Sequence, residues 1–207
     1  MKQGFPFFAG ICGIFTPIIA LSSIFLSVLY SPNFSWTENW ISDLGGTHIS
    51  LPIFPFRPDV STPTTIAILT NGMMLAGILA FIFAIGLWKS IKILSGRVGS
   101  LMLMVSAIGI FGTGLFPEPT GMPHITATFL LFMAGSIGLL YISATLMDSG
   151  QKSLGFLVLL LGIVALLFGG ILIVFRAIPE LIASIASSIF TIIFGVKMIK
   201  RSPKLIL

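Results

Sequence analysis

Charged residues are scarce in this sequence. Its 207 residues include 11 Lys and Arg and 6 Asp and Glu, so only 8% are charged, whereas about 25% is typical of a soluble domain. The hydrophobic fraction is 56% and the mean hydropathy is +1.12. This composition excludes a soluble protein and indicates an integral membrane protein.

Cysteine is almost absent as well. Cys12 is the single one, which excludes a disulfide within the chain. No polar stretch is long enough for a separate soluble module, so residues 1–207 are predicted to form a single membrane domain. The pI of about 9.7 does not indicate a nucleic-acid partner, because the basic residues stand at the ends of apolar runs instead of forming a patch.

Six apolar runs are long enough to cross a bilayer, which takes about 20 residues of helix. They cover residues 5–30, 63–88, 98–116, 123–146, 154–175 and 180–196. The sequence therefore predicts an all-α, multi-pass membrane protein, a six-transmembrane-helix bundle whose surroundings are the lipid bilayer.

The basic residues predict how the bundle is oriented. Nine of the eleven Lys and Arg fall on one side of the predicted spans, and only Arg57 and Arg176 fall on the other. Because cytoplasmic loops are enriched in Lys and Arg, we expect both termini to be cytoplasmic in a cell membrane. The long loop 31–62, between the first two helices, would then lie outside. We expect it to fold back over the bundle, with a short amphipathic helix near residues 37–44.

Most other ionisable groups share the predicted outer side. Five of the six acids and both histidines fall there: Glu38, Asp43, His48, Asp59, Glu118, His124 and Glu180. Two of them interrupt the apolar runs in the segment GLFPEPTGMPHITAT, residues 114–128. Pro117 and Pro119 would end the third helix and Pro123 would open the fourth, leaving His124 in its first turn. We predict that this break forms one wall of an outward-facing polar site and that residues 41–45 form the other.

Three further polar residues near this side have predicted roles. Asn71 lies about two turns inside the second helix, and an unpaired amide in hydrocarbon is costly. We therefore expect it to face the bundle interior and form the floor of the site. Arg57 or Arg176 would meet an anionic part of a ligand. Arg176 is also expected to pair locally with Glu180 across the turn at Pro179, a contact worth little if exposed.

Three segments resemble a known family. They are YSPNFSWTENWISDLGG (30–46), NGMMLAGILAFIFAIGLW (71–88) and GTGLFPEPTGMPHITAT (112–128). In this order and spacing they resemble the small prokaryotic six-helix family catalogued as domain of unknown function 998, over roughly residues 1–200. The resemblance implies the six-helix fold and no particular activity. It points to these residues: Ser42, Asp43, Gly45, Asn71, Phe116, Pro117, Glu118 and His124.

Three functions are compatible with these features. The first is binding of a lipid head group or small molecule at the outer face, with these ligand-binding candidates: Ser42, Asp43, Arg57, Asn71, Glu118, His124 and Arg176. The second is a metal-dependent intramembrane hydrolase acting on lipid, in which a divalent ion such as zinc would be held by Asp43, His48, Glu118 and His124. The third is a small transporter, although no inverted repeat or broken helix pair is evident.

Overall fold

Six apolar runs form six helices in the computed structural model, which describes residues 4–46, 59–171 and 176–200. The helices are α1 Phe5–Leu29, α2 Pro63–Ser90, α3 Leu94–Leu115, α4 Met122–Asp148, α5 Lys152–Gly170 and α6 Ala177–Ile199. Each is long and apolar enough to cross a membrane, and the described residues include no strand. The predicted six-helix fold is confirmed, while the side on which the termini and loops lie stays a prediction.

The helices form a closed ring. Each helix packs against the next one in the chain, and α6 packs back against α1. Part of the core is aromatic, since the Phe190 ring centroid lies 4.5 Å from that of Phe194 and 6.3 Å from that of Phe83. All three rings are buried.

The helix starts follow the local sequence. The Thr62 hydroxyl accepts a hydrogen bond from Thr65 N at 3.1 Å, and Thr62 N donates to the Thr65 hydroxyl at 2.8 Å. Thr62 is the N-cap of this reciprocal pair, and Pro63 follows it at the first helical position, where proline is common. α6 starts at Ala177, earlier than the predicted residue 180, and Ala177 N, a first-turn donor without a partner inside the helix, donates to Asn39 O at 2.8 Å.

Three helices are irregular. Pro17 stands inside α1, where it removes a backbone donor. Residues Leu130–Ala134 of α4 form a π-helical turn, and a second one, Leu166–Ile171, ends α5. The Ser106 hydroxyl on α3 donates to Leu131 O at 2.7 Å, so a neighbouring helix supports the first π turn. Such turns are frequent at functional sites.

One end of the bundle carries the longer connections, and we call it the cavity end. It is formed by the last turns of α1, α3 and α5 and the first turns of α2, α4 and α6. Residues 30–46 are anchored there, as the Ser31 hydroxyl donates to Val60 O at 2.6 Å. The amphipathic helix expected near 37–44 is instead a short 3-10 helix, Ile41–Gly45. Residues 47–58 of the loop lie outside the described residues.

Candidate functional site

The first wall of the site is the turn between α3 and α4. A 3-10 turn, Glu118–Thr120, follows Pro117, and the Thr120 hydroxyl donates to Pro117 O at 2.8 Å. Gly121 has a φ of 70°, a left-handed conformation that glycine adopts without strain. The chain then enters α4 with Pro123 in its first turn, so His124 occupies the predicted place.

His124 is held by two hydrogen bonds. Its Nδ1 lies 2.8 Å from Phe116 O and its Nε2 lies 3.3 Å from the Thr128 hydroxyl. Because a carbonyl oxygen only accepts, Nδ1 donates in the first bond, and in the neutral ring Nε2 is then the acceptor. The Phe116 carbonyl thus fixes the orientation of the imidazole and leaves an accepting nitrogen beside Thr128.

The second wall is the 3-10 helix Ile41–Gly45. The Asp43 carboxylate accepts from Asn39 Nδ2 and from Trp40 N, both at 3.0 Å. Asp43 is 4% exposed, and these bonds turn its Oδ2 towards its own segment. Its role here is to shape the wall, because it satisfies a buried backbone donor.

A carboxylate from α6 fastens this wall to the bundle. Glu180 Oε2 accepts from Ile41 N at 2.7 Å, and Glu180 is only 8% exposed. A hydrogen bond to a charged acceptor is stronger than one between neutral groups. Glu180 therefore joins α6 to the Ile41–Gly45 segment.

The two walls meet at Gly46. A Cβ atom on Gly46 would lie 2.6 Å from Pro119 Cγ, which is closer than real side chains approach. Only glycine allows this contact without displacing the turn.

A cavity of about 70 Å³ lies between the two walls, and we call it the upper cavity. Its apolar lining comes mostly from the membrane-length helices α1, α2 and α4: Ile24, Ile41, Leu69, Met73, Leu131 and Phe132. Its polar lining combines hydroxyl groups, an imidazole and two carboxylates: Ser42, Thr70, Thr113, Glu118, His124, Thr128, Glu180 and Ser184.

Apart from Asn71 and Phe116, the predicted site residues divide into three groups. Ser42, Glu118 and His124 line the upper cavity, together with Gly45 and Pro117. Asp43 and Arg176 lie at the same end but are not in this lining: Asp43 is turned to its own loop, and the Arg176 guanidinium lies 4.8 Å from the centre of the Trp40 ring. His48 and Arg57 lie outside the described residues.

The expectation for Asn71 is wrong. Its side chain is exposed on the outside of the bundle, and its Nδ2 donates to Ala67 O, one turn earlier in α2, at 2.8 Å. One N–H of the amide is thus satisfied on its own helix, and the side chain does not point into the bundle. Asn71 is not the floor of the cavity, which Leu69 and Met73 of the same helix help to form.

Glu180 is the residue that sequence reasoning missed. The expected local pair of Arg176 and Glu180 stays a prediction, whereas Glu180 itself is buried and accepts a hydrogen bond from Ile41 N of the Ile41–Gly45 segment. One signal was available, since an acid in the first turn of an apolar helix is favoured by the helix dipole. The bond to Ile41 depends on tertiary structure and left no trace in the local sequence.

The metal-ligand set does not assemble in the part of the chain that the structure describes. No three His, Cys, Asp or Glu side chains there are grouped so that they could hold a metal ion. Asp43 Oδ2 instead accepts from Asn39 Nδ2 and Trp40 N of its own segment, and Asp43 is not among the residues that line the upper cavity with Glu118 and His124. The fourth candidate, His48, lies outside the described residues.

Six membrane-length helices, five of which line a cavity that holds ionisable side chains, define a multi-pass helical membrane protein. The chain belongs to the family described as "Protein of unknown function (DUF998)", whose model matches residues 14–197. The family resemblance of the three segments is thereby confirmed. Comparison with curated proteins and with solved structures gave no match.

Proposed function

We propose that this protein binds a lipid head group or a small molecule in the upper cavity, at the extracytoplasmic face of the cell membrane. The observation that supports this is the gathering of Glu118, His124 and Glu180 around one cavity with an apolar floor. A volume of about 70 Å³ is several times the roughly 10–15 Å³ that one water requires by this kind of measure. A small polar group of a ligand would fit there.

The lining also indicates the chemistry of that group. Glu118 and Glu180 contribute carboxylates, which are hydrogen-bond acceptors with room for several donors, whereas the accepting Nε2 of His124 is directed at the Thr128 hydroxyl. A hydroxyl or amine group, which donates hydrogen bonds, therefore suits this cavity best. Arg176 stacks on Trp40, so the earlier idea that it meets an anionic group gains no support.

Retention of a bound molecule tests this proposal. The protein, purified in nanodiscs formed directly from its own membrane, is expected to carry a non-protein molecule detectable by native mass spectrometry. Glu118→Gln should lower its occupancy about tenfold, because a hydrogen bond to a charged group is worth about 1.5–3 kcal/mol. Glu38→Gln, a matched change at an exposed residue of the cavity end, should leave the occupancy unchanged.

Two other outcomes would contradict binding as the function. Equal occupancy in both variants would place the molecule elsewhere on the protein. Stoichiometric zinc or another divalent ion by elemental analysis would favour the metal-dependent hydrolase instead.

The proposed orientation has its own test. The described basic residues outside the cavity end lie at the opposite end of the bundle: Lys89, Lys92, Arg97, Lys152, Lys197 and Lys200. In a Cys12→Ala background, cysteines at Thr37 and Thr120 should react with an impermeant thiol reagent added to intact cells. A cysteine at Ser153 should react only after lysis, and all three sites are exposed. The reverse pattern would place the cavity on the cytoplasmic side.

A further inference from the structure

A second, deeper cavity adjoins the upper one, and we call it the lower cavity. It has a volume of about 110 Å³ and lies between α1, α2, α3, α4 and α6. The two cavities are adjacent because five residues line both: Ile24, Met73, Leu131, Phe132 and Ser184. Four of these five side chains are apolar, so the cavity that holds the ionisable groups is followed inward by hydrocarbon-like surface.

The lower cavity is apolar although it contains hydroxyl groups. All six hydroxyl side chains in its lining donate to backbone carbonyl oxygens, at distances of 2.6 to 3.0 Å: Thr16, Ser106, Ser184, Ser187, Ser188 and Thr191. Their donors are satisfied by the protein itself. The remaining surface is aliphatic and aromatic, as at Leu103 and Phe190. Apolar cavities of this kind stay dry and accept hydrocarbon.

Helix irregularities surround the lower cavity. Pro17 of α1 lines it, and so do Leu131 and Phe132 of the π turn in α4. A void forfeits the dispersion contacts that its lining atoms would otherwise make. A hydrocarbon segment in the cavity would restore them. An apolar cavity of about 150 Å³ can hold benzene, so the lower cavity fits a shorter or narrower piece of chain.

We propose that the two cavities together form one site for a single-chain amphiphile. Its hydroxyl or amine head lies in the upper cavity, and the first carbons of its chain pass Met73 and Phe132 into the lower cavity. The head position rests on the function proposed above, whereas the chain position is new. Little is gained by moving a chain from lipid to protein as such, so the fit to the lower cavity selects the chain.

A photoreactive probe tests the chain position. The probe is a ten-carbon primary amine with a diazirine near the middle of its chain, added to the protein in nanodiscs, and its cross-links are mapped by mass spectrometry. We expect saturable cross-links to residues of the lower cavity. Ala107→Leu, which fills that cavity from a buried position on α3, should lower their yield at least about tenfold, as misfit in an apolar pocket does.

Two variants guard against a folding defect. Ser188→Leu fills the same cavity from α6 and should reproduce the loss. Ala144→Leu adds the same side chain at an exposed position of α4 and should leave the yield unchanged. Cross-links confined to lipid-facing residues, or unaffected by both filling variants, would overturn the proposal.

Chain length separates this inference from the proposed function. Unlabelled decylamine should compete with the probe, whereas ethylamine, which has the same head, should not compete at equal concentration. If ethylamine protects as well as decylamine does, the upper cavity binds the head alone and the chain proposal fails while the proposed function stands. If neither compound protects, and the molecule retained by the purified protein is insensitive to Glu118→Gln, both fail.

Discussion

Replacing Gly109 with valine is expected to prevent the bundle from folding stably. A Cβ atom at Gly109 would overlap the backbone nitrogen of Leu131 and would lie 2.8 Å from Ala127 O. These are backbone atoms of α4, so no side chain can rotate away. Overpacking typically costs 1–3 kcal/mol when side chains can adjust, and we expect about 3 kcal/mol or more here because α3 and α4 must separate.

The measurement is the unfolding free energy of the purified protein by titration with sodium dodecyl sulfate, with size-exclusion profiles as a check on assembly. Ile108→Val is the matched control, since it also places valine on α3 but at a side chain that is 54% exposed. It should change stability by less than about 0.5 kcal/mol, as surface substitutions usually do. Wild-type stability of Gly109→Val would show that α3 and α4 are not in the described contact.

Replacing Glu180 with leucine is expected to release the Ile41–Gly45 segment from the bundle. The change removes the acceptor of the 2.7 Å bond from Ile41 N, and Ile41 is 8% exposed. A buried donor left without a partner costs about 1–3 kcal/mol. A loss of about 2 kcal/mol corresponds to roughly 30-fold faster local opening, since each 1.4 kcal/mol is a factor of ten.

Hydrogen exchange of peptides covering residues 39–46 measures this opening. Glu180→Gln keeps a carbonyl acceptor and should show a smaller increase in exchange rate than Glu180→Leu. Glu38→Leu changes an exposed acid of the same segment and should have little effect. Unchanged exchange in Glu180→Leu would mean that other contacts hold the wall.

The helices were predictable because membrane spans depend on length and composition alone. Apolar runs of sufficient length leave helix as the structure that satisfies every backbone group in lipid. The turn at residues 116–124 was predictable for a related reason, as Pro117, Pro119 and Pro123 restrict their own backbone and leave few alternatives. His124 accordingly lies in the first turn of α4, next to Pro123, as predicted.

Of the two acids in the described lining of the upper cavity, Glu118 was predicted from the sequence and Glu180 was not. Asp43 was a predicted ligand but is turned to Trp40 N, whereas Glu180, which was expected to pair with Arg176, reaches across to Ile41 N. The prediction for Asn71 was wrong for a different reason. The cost of an unpaired amide in hydrocarbon suggested a partner on another helix, but Asn71 Nδ2 donates to Ala67 O of its own helix. The two adjoining cavities depend on five helices at once, and no sequence period encodes them.

The most direct measurement is a high-resolution electron cryo-microscopy map of the protein in nanodiscs taken from its own membrane. We predict non-protein density between the Ile41–Gly45 and Glu118–Thr120 segments, within hydrogen-bond distance of Glu118, His124 or Glu180, and continuing past Met73 into the lower cavity. An upper cavity occupied only by separate waters, with lipid confined to the outside of the bundle, would contradict it.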